Sequence, residues 1–261
     1  MDGSPLDDER RVSGLGRTRL VLESFTAARP QQTLTEISKR TKLPMTTVHR
    51  LVRGLAEWGL LERDAEGNYE IGLKMWEIGS LARRTFNLRE AANPFLQDLY
   101  EMTHQVVQLA VLDGTEAVYL ERISSRGAVL VRTRRGGRFP LHATGVGLVL
   151  LAHAPAELRE EVLAGPLRRY TPKTIADPER LRETLALVRK QDYAVSDGQI
   201  DLFSLSVAAP IRDARENVVA AISVAVPADS ANPQALAVAV RAAARGTSRV
   251  LGHSATRAGA R

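Results

Sequence analysis

Apolar residues recur at helical spacing through the N-terminal part of the chain. A first helix is predicted over residues 17–28, with Val21, Leu22 and Phe25 on one face. Arg29-Pro30 is expected to end this helix, because the residue before a proline avoids helical geometry. The pattern therefore predicts a short amphipathic helix that buries one face.

Two more helices are predicted next. Thr33 and Glu36 have the spacing of a capping box, so a short helix should begin there and end near Thr41. Leu43-Pro44 then forms a turn, and proline suits the start of the next helix. That third helix carries an apolar stripe at helical offsets, made of Val48, Leu51, Val52, Leu55 and Trp58.

A β-hairpin is predicted directly after the third helix. Its strands are residues 60–63 and 69–71, and the turn between them contains Gly67. Three short helices followed by a hairpin are typical of a winged helix-turn-helix. We therefore predict such a domain over residues 17–72.

The rest of the chain mixes strands and helices in an order typical of an α+β domain with an antiparallel sheet. A linker helix is expected over residues 73–87, followed by a second domain over residues 88–252. Within that domain, helices are predicted at 88–105, 144–153, 156–163, 178–191 and 232–251. Strands are predicted at 106–112, 117–123, 128–133, 193–195, 205–212 and 218–226. Residues 1–16 are expected to form a flexible arm, and residues 253–261 a frayed tail.

Composition narrows the class of protein. The sequence has no cysteine, which excludes disulfides, thiolate zinc sites and cysteine nucleophiles, and which fits a cytoplasmic location. The N-terminus lacks the apolar core of a signal peptide, and no apolar run approaches the length of a membrane span. We therefore expect a cytoplasmic protein with no membrane partner.

Positive charge is concentrated in the predicted winged helix. From Arg17 to Arg63 there are nine basic and four acidic residues, a net charge of +5 out of +6 for the whole chain. A basic patch on a small helical domain is the expected footprint of binding to nucleic acid. The charge distribution thus favours double-stranded DNA as a partner.

The third helix supplies the candidate DNA-reading face. In a helix-turn-helix this helix enters the major groove, where Arg50 or Arg53 can bind guanine bidentately or bind phosphate. Hydroxyls and free amides in its first turn suit phosphate oxygens. Arg17 and Arg19 are expected to reach a minor groove from the arm. The full candidate set is Arg17, Arg19, Thr35, Met45, Thr46, Thr47, His49, Arg50 and Arg53.

Three segments carry a family resemblance. LTEISKRTKLPMTTVHRLVRGLAEWGLLERDAEGNYEIG (34–72), FPLHATGVGLVLLA (139–152) and YAVSDGQIDLFSLSVAAPIRD (193–213), the last followed by VVAAISVAVP (218–227), resemble the IclR family of transcriptional regulators. The resemblance implies a GAF-like C-terminal domain that binds a small effector. It also implies homodimers or homotetramers and the regulation, often the repression, of catabolic operons.

The same resemblance implies an effector pocket. Gly145 and Val146 match the amides that hold a carboxylate in family members that bind oxo acids. Ser196 replaces an aspartate, with Asp197 adjacent, and Ser206 replaces a cysteine. The full candidate set is Val131, Phe139, Gly145, Val146, Ser196, Asp197, Ser204, Ser206 and Ser223. These departures favour an acid with a larger or less polar body, such as an aromatic or sugar-derived acid.

Other functions remain open at this point. The three helices could be a packing module with a solvated charged face. The protein could also be an enzyme acting on a small acid, with a vestigial DNA-binding domain, or an architectural DNA binder without sequence preference. No catalytic, metal-binding or cofactor-binding residues are predicted, because no nucleophile–base pair, metal-ligand spacing or full dinucleotide fingerprint is present. Effector, operator, target genes and the sign of regulation are not predictable from these patterns.

Overall fold

A computed structural model describes residues 13–125, 128–129, 131, 133–230 and 232–258. The chain divides into two compact units between Arg83 and Arg84. The first unit contains helices α1 (Gly14–Ser24), α2 (Leu34–Thr41), α3 (Met45–Glu57) and α4 (Leu73–Ser80), with strands β1 (Leu61–Arg63) and β2 (Tyr69–Ile71) between α3 and α4. The two strands pair antiparallel, so the predicted hairpin is confirmed.

A small apolar core holds the first unit together. It consists of buried residues from all three leading helices and both strands, namely Val21, Ile37, Val48, Val52, Leu55, Leu61 and Tyr69. The capping box is present, since the Thr33 hydroxyl accepts from the Glu36 amide and a Glu36 carboxylate oxygen accepts from the Thr33 amide. The backbone hydrogen bond from Thr33 is the main reason that the pKa of Glu36 lies below its usual value. Sequence-encoded caps thus set the start of α2.

The first helix differs from its prediction at both ends. Ser13 caps α1, so residues 14–16, predicted as arm, form its first turn, while residues 1–12 lie outside the described part. The helix ends at Ser24 rather than Ala28, because Phe25 is extended and Thr26 and Arg29 exchange backbone hydrogen bonds. Trp58 was predicted in the apolar stripe, but it follows the end of α3 and is 72% exposed.

The predicted linker helix, residues 73–87, is two helices. α4 ends at Ser80, and α5 (Arg83–Thr103) begins after Leu81 and Ala82. The Leu81 and Ala82 amides bond to carbonyls three residues back, a tightening that is common at helix ends. Gly79 and Ser80 have weak helix propensity, which accounts for the break.

The second unit is built on a six-stranded antiparallel sheet. Its strands are β3 (Val106–Asp113), β4 (Glu116–Ile123), β5 (Arg138–Pro140), β6 (Ala194–Asp197), β7 (Ser204–Arg212) and β8 (Val218–Pro227), in the order β5-β4-β3-β8-β7-β6. Its helices are α5, α6 (Gly145–Ala152), α7 (Ala156–Ala164), α8 (Pro178–Gln191) and α9 (Pro233–Ala258). A 3₁₀ turn, Ala228–Ser230, precedes α9. This is the predicted α+β, GAF-like domain.

Alternation along the strands sorts apolar residues to two faces. On β7, Val207, Ala209 and Ile211 pack in one core with α5 and α9. Ala208 lies in the other core, with α6 and α8. Since strand side chains alternate, the even-numbered residues of β7 face α6. On β7, that face holds the candidate effector residues Ser204 and Ser206.

Two predicted elements of the second unit are wrong. The described residues of 128–133 form no strand, and the strand next to β4 is β5, where Phe139 pairs with Ala117. Gly136 has a φ of 72° and its amide bonds to the Tyr119 carbonyl, so the chain turns back onto β4 there. Residues 253–258 continue α9 rather than forming a tail, as no glycine or proline interrupts them; residues 259–261 lie outside the described part.

No helix in the described ranges is long and apolar enough to cross a bilayer.

Candidate functional site

The start of α3 is shaped for an anionic partner. Pro44 is its N-cap and supplies no side-chain cap, so the first-turn amides of Met45, Thr46 and Thr47 have no acceptor among the described residues. The turn before it is held by Ser38, whose hydroxyl donates to the Leu43 carbonyl at 2.8 Å. Free amides at a helix N-terminus attract phosphate oxygens. The first turn of α3 can therefore contact a nucleic-acid backbone.

The two faces of α3 have opposite chemistry. Val48, Val52 and Leu55 are buried in the core of the first unit. Thr46, His49, Arg50 and Arg53 are exposed. Arg53 pairs with Glu57 at 2.9 Å, and both side chains are well exposed, so this pair contributes little to stability. Arg50 has no ion-pair partner among the described residues, which leaves its guanidinium available for a ligand.

The remaining DNA-site candidates lie on α1, α2 and α3, and the structure corrects the prediction made for Arg17 and Arg19. Thr35 is exposed on α2, Thr47 is half-buried, and Met45 is 43% exposed. Arg17 and Arg19 lie within α1, so they do not extend from an arm as predicted. Arg19 also pairs with Glu23 one helical turn away.

The hairpin turn is tightly closed and acidic. Asp64 accepts from the Asn68 amide at 2.7 Å and from its side chain at 3.0 Å, and the side-chain bond lowers the pKa of Asp64. Glu66 is exposed beside it. Arg63, stacked over Tyr69 at 5.6 Å, is the cation of the hairpin. Contact with a phosphate backbone would therefore involve Arg63 rather than the acidic tip.

The second unit contains a cavity between its sheet and the N-terminus of α6. Its volume is about 40 Å³. It is lined from β3, β4, β6, β7 and β8, from the segments before α6 and before β5, and from the β6–β7 loop. The described lining residues are Gln108, Tyr119, Val131, Thr133, Ala143, Thr144, Ser196, Gln199, Ile200, Asp201, Ser204, Ser206 and Ala225.

Four of the candidate effector residues line this cavity. They are Val131, Ser196, Ser204 and Ser206. The Ser196 hydroxyl donates to the Ala143 carbonyl at 3.1 Å, which ties β6 to the segment before α6. The Ser206 hydroxyl has no hydrogen-bond partner among the described residues. The structure thus brings together side chains that are far apart in the sequence.

Three other candidates do not line the cavity. Asp197 follows Ser196 on a strand, so it points to the opposite face and pairs with Lys173 at 2.9 Å. Ser223 is buried behind Gln108, to which its hydroxyl donates at 3.3 Å. Phe139 packs edge-on against Tyr119, with ring centroids 5.5 Å apart.

Neither Gly145 nor Val146 is among the lining residues, but their backbone amides lie at the start of α6, directly after the lining residue Thr144. All eight residues of α6 are buried, and the Val146 side chain lies in the core. The N-cap Thr144 uses its hydroxyl to accept from Gly147 at 3.1 Å. The Gly145 and Val146 amides have no acceptor among the described residues. Because first-turn amides point toward the helix N-terminus, they are directed past Thr144, which lines the cavity.

Several lining residues were not predicted. Gln108, which donates to Thr133, and Tyr119 line the cavity from β3 and β4. Burial raises the pKa of the Tyr119 hydroxyl above its usual range, so it stays neutral. A lone polar residue in an apolar strand, as Gln108 is, was the signal that could have identified it.

The β6–β7 loop also lines the cavity, and a second segment holds it in place. The Thr171 hydroxyl donates to the Gly198 carbonyl and the Thr174 hydroxyl to the Gln199 carbonyl, each at 2.6 Å. Both threonines are buried. The loop residues Ile200 and Asp201 are thereby fixed at the cavity, and nothing in the local sequence indicated this contact.

Comparison with known proteins gives consistent matches along the chain. Residues 14–65 match a family model described as the IclR helix-turn-helix domain. Residues 81–249 match one described as the bacterial transcriptional regulator IclR C-terminal domain. The chain is 34% identical to HTH-type transcriptional regulator KipR of Bacillus subtilis (strain 168), covering 76% of this chain and 79% of KipR. It is 31% identical to the transcriptional repressor IclR of Escherichia coli (strain K12), covering 83% and 81%.

A solved structure is also similar over nearly the whole chain. It is an IclR homolog from Microbacterium hydrocarbonoxydans, complexed with 4-hydroxybenzoate. The sequence identity is 38%, the TM-score is 0.88, and the match covers 92% of this chain and 99% of the other.

The close approach of α6 to β7 gives a stability prediction. A Cβ added at Gly145 would lie 2.7 Å from the Ser206 Oγ. Gly145→Ala should therefore lower the free energy of unfolding by about 1–3 kcal/mol. Ser206→Gly in the same chain should restore part of that loss. Urea unfolding followed by far-UV circular dichroism measures both effects.

A matched glycine serves as the control. Gly252 lies in α9 of the same unit, and an added Cβ there meets nothing within 4 Å. Gly252→Ala should be neutral or stabilising by up to about 1 kcal/mol. Equal destabilisation by both alanine variants, or additivity in the Gly145–Ser206 double-mutant cycle, would contradict the proposed packing.

Proposed function

Because this chain belongs to the IclR family of bacterial transcriptional regulators, we propose that it represses a catabolic operon and releases its operator when a small aromatic acid enters the cavity of the second unit. The matched families and relatives are transcriptional regulators, not enzymes, which argues against an acid-processing activity. The observation that carries the sensing proposal is a cavity lined by polar side chains, next to two helix amides that have no acceptor among the described residues.

Operator reading is assigned to the exposed face of α3. In this proposal Arg50 contacts base edges in the major groove, while the uncapped first turn with Thr46 and Thr47 contacts phosphates. The support is the absence of any ion pair for Arg50 in the described residues and the net charge of +5 between Arg17 and Arg63. Arg53, paired with Glu57, would have to exchange that partner for DNA.

Dimerisation is assigned to the first unit. Helix α4 and the residue that follows it expose four large apolar side chains, namely Leu73, Trp76, Ile78 and Leu81, each more than half exposed. Contiguous exposed apolar surface marks an interaction site. A two-fold pair of winged helices would read two operator half-sites at a set separation. We therefore propose that the protein forms a homodimer, or a homotetramer of such dimers.

The effector is proposed to bind with its carboxylate on the Gly145 and Val146 amides. These are buried donors without acceptors in the described part of the chain, and helix amides attract anions. The similar IclR homolog complexed with 4-hydroxybenzoate supports an aromatic acid. A cavity that holds a benzene ring measures roughly 150 Å³. The present 40 Å³ must therefore widen on binding, and this widening is the proposed signal.

Repression is the proposed sign of regulation, supported by the name of the E. coli relative, a transcriptional repressor. The remaining alternative is an architectural protein that binds DNA without sequence preference. A separate unit with a built cavity argues against that alternative. Sequence-specific binding that a small acid reverses would separate the two functions.

Substitution of Arg50 tests operator reading. Arg50→Ala should weaken binding to operator DNA by about 1–3 kcal/mol and relax its sequence preference, because a bidentate base contact is lost. Fluorescence anisotropy on DNA from the region upstream of the protein's own gene, with non-specific competitor and a salt series, measures both quantities.

The control for Arg50 is an arginine of the second unit. Arg215 is exposed on the β7–β8 turn, and Arg215→Ala changes the net charge equally. It should leave operator affinity nearly unchanged. If Arg50→Ala combined with Thr46→Ala leaves specific binding intact, the proposed docking of α3 is wrong.

A charge placed on α4 tests the dimer. Trp76 is 70% exposed, so Trp76→Glu should leave the fold of the chain intact while separating the dimer into monomers. Analytical ultracentrifugation measures the mass. Leu187→Glu, at an exposed leucine of α8, is the matched control and should keep the wild-type mass. An unchanged mass for Trp76→Glu would show that the dimer interface does not include this face of α4.

A panel of benzoate derivatives tests sensing. At a concentration of about 100 times Kd, a bound acid should raise Tm by roughly 5–10 °C and release operator DNA. Ser206→Leu, which fills the cavity, should abolish the shift, whereas Asp197→Asn, outside the cavity, should retain it. Sensing at this site would be disproved by equal stabilisation of the Ser206→Leu protein.

A further inference from the structure

The buried carboxylate of Glu121 joins two segments of the second unit that are far apart in the sequence. Its Oε2 accepts from the guanidinium of Arg89, on α5, at 2.9 Å. Its Oε1 accepts from the Arg122 amide and from the guanidinium of Arg135, in the segment before β5. Burial acts to raise the pKa of Glu121, but these three donors outweigh it and hold that pKa below its usual value. A charged carboxylate therefore links a helix to a loop segment.

A β-bulge directs Glu121 toward α5. Tyr119, two residues earlier on β4, lines the cavity and packs on the α6 face of the sheet. Strand alternation alone would place Glu121 on that same face. The pairing of β4 with β3 skips Leu120, however, and Glu121 pairs with Leu109, whose side chain packs in the core with α5. The extra residue of the bulge thus brings the carboxylate to the α5 side, within reach of Arg89.

The segment that carries Arg135 is a wall of the cavity. Thr133 lines the cavity from this segment, and the described residues of 131–136 lie outside helices and strands. Most other lining residues belong to strands or to the β6–β7 loop, which two threonines hold in place. Among the described residues of the segment, backbone bonds to the sheet begin at Gly136, whose amide donates to the Tyr119 carbonyl. Side-chain bonds at Thr133 and Arg135 hold the rest of this wall against the sheet.

We propose that Glu121 transmits effector binding from the cavity to α5. This inference rests on the proposed function, in which the cavity widens when an acid binds. Widening moves the wall segment and draws Arg135 away from Glu121. The carboxylate then keeps Arg89 as its cation, because a buried charge without a partner is unfavourable, and the Glu121–Arg89 pair shifts as a unit.

Arg89 is placed to pass this shift toward the first unit. It lies in the second turn of α5, and the chain passes from the first unit to the second between Arg83 and Arg84, at the start of that helix. Because a helix moves as a rigid element, a shift at Arg89 reaches the residues that join α5 to the first unit. The Arg135–Glu121 pair thus belongs to the narrow cavity alone, whereas the Arg89–Glu121 pair persists in both states.

Exchange of backbone amide hydrogens tests the link without any ligand. Arg135→Ala removes the bond that belongs to the narrow cavity. The full-length variant should therefore exchange faster in residues 131–137 and also, by roughly threefold or more, in residues 84–92 of α5. Hydrogen–deuterium exchange followed by mass spectrometry measures both segments. Faster exchange confined to residues 131–137 would overturn the role of Glu121.

Arg138→Ala is the matched control. Arg138 lies at the start of β5 and is ion-paired with Asp113 and Glu116 rather than with Glu121. Its loss should leave the exchange of α5 at the wild-type rate. An equal effect of the two variants on α5 would mean that the loss of any arginine in this region suffices, and the proposed link would be wrong.

Operator binding measures the transmission itself. With 4-hydroxybenzoate as the probe, isothermal titration calorimetry measures acid binding and fluorescence anisotropy measures operator release. Arg89→Ala should bind the acid within about threefold of the wild-type affinity, yet lose most of the fold-change in operator affinity that the acid causes. Arg89→Lys, which keeps the charge, should retain part of that change. A merely structural role of Arg89 would instead weaken acid binding and operator binding together, which would contradict the proposal.

Failure of this inference is distinguishable from failure of the proposed function. If the acid releases operator DNA equally well from the wild-type and Arg89→Ala proteins, the proposed function stands and the role of Glu121 is wrong. If no acid of the benzoate panel releases operator DNA from the wild-type protein, the aromatic-acid effector is wrong. The exchange experiment, which needs no acid, then still decides whether Glu121 links the cavity wall to α5.

Discussion

Close packing of α6 against the sheet is the constraint on which the second unit depends. The helix is buried on all sides, which is possible only because glycine stands at 145 and 147 and alanine at 208 and 221 on the facing strands. A Cβ at Gly147 would lie 2.5 Å from the Leu141 carbonyl oxygen. In the described part of the chain, the buried Gly145 and Val146 amides at the start of α6 have no acceptor, so the same residues allow the close packing and provide the donors proposed for a ligand.

The first unit follows a different physical plan. One face of α3 packs in a small core, and the other face is exposed; among the described residues its arginine Arg53 pairs with Glu57, whereas Arg50 has no ion-pair partner. The capping box fixes the start of α2. The start of α3 has no side-chain cap, so its first-turn backbone amides stay available as donors. Residues 14–65 match the IclR helix-turn-helix domain, and this match supports the proposal that the exposed face of α3 binds DNA.

Prediction from sequence succeeded where local rules apply. The capping box at Thr33 and the antiparallel character of the sheet were read correctly, and helix α8 has the predicted bounds of 178–191. It failed where long-range packing decides: Trp58 is exposed, and β5 replaces the strand expected at 128–133. In both cases, whether an apolar segment is buried or pairs in a sheet depends on residues far along the chain.

For the candidate site, the helix proposed to read DNA, the concentration of positive charge around it and the glycine-rich start of α6 could be predicted from the sequence, because each is a property of neighbouring residues. Which side chains meet in the cavity depends on the folding of the whole second unit. Strand parity directs Ser196 inward and Asp197 outward, although they are adjacent in sequence. The β6–β7 loop brings Asp201 to the lining because two distant threonines bind the carbonyls of that loop. Contacts between segments so far apart leave no pattern in the local sequence, so they could not be predicted from it.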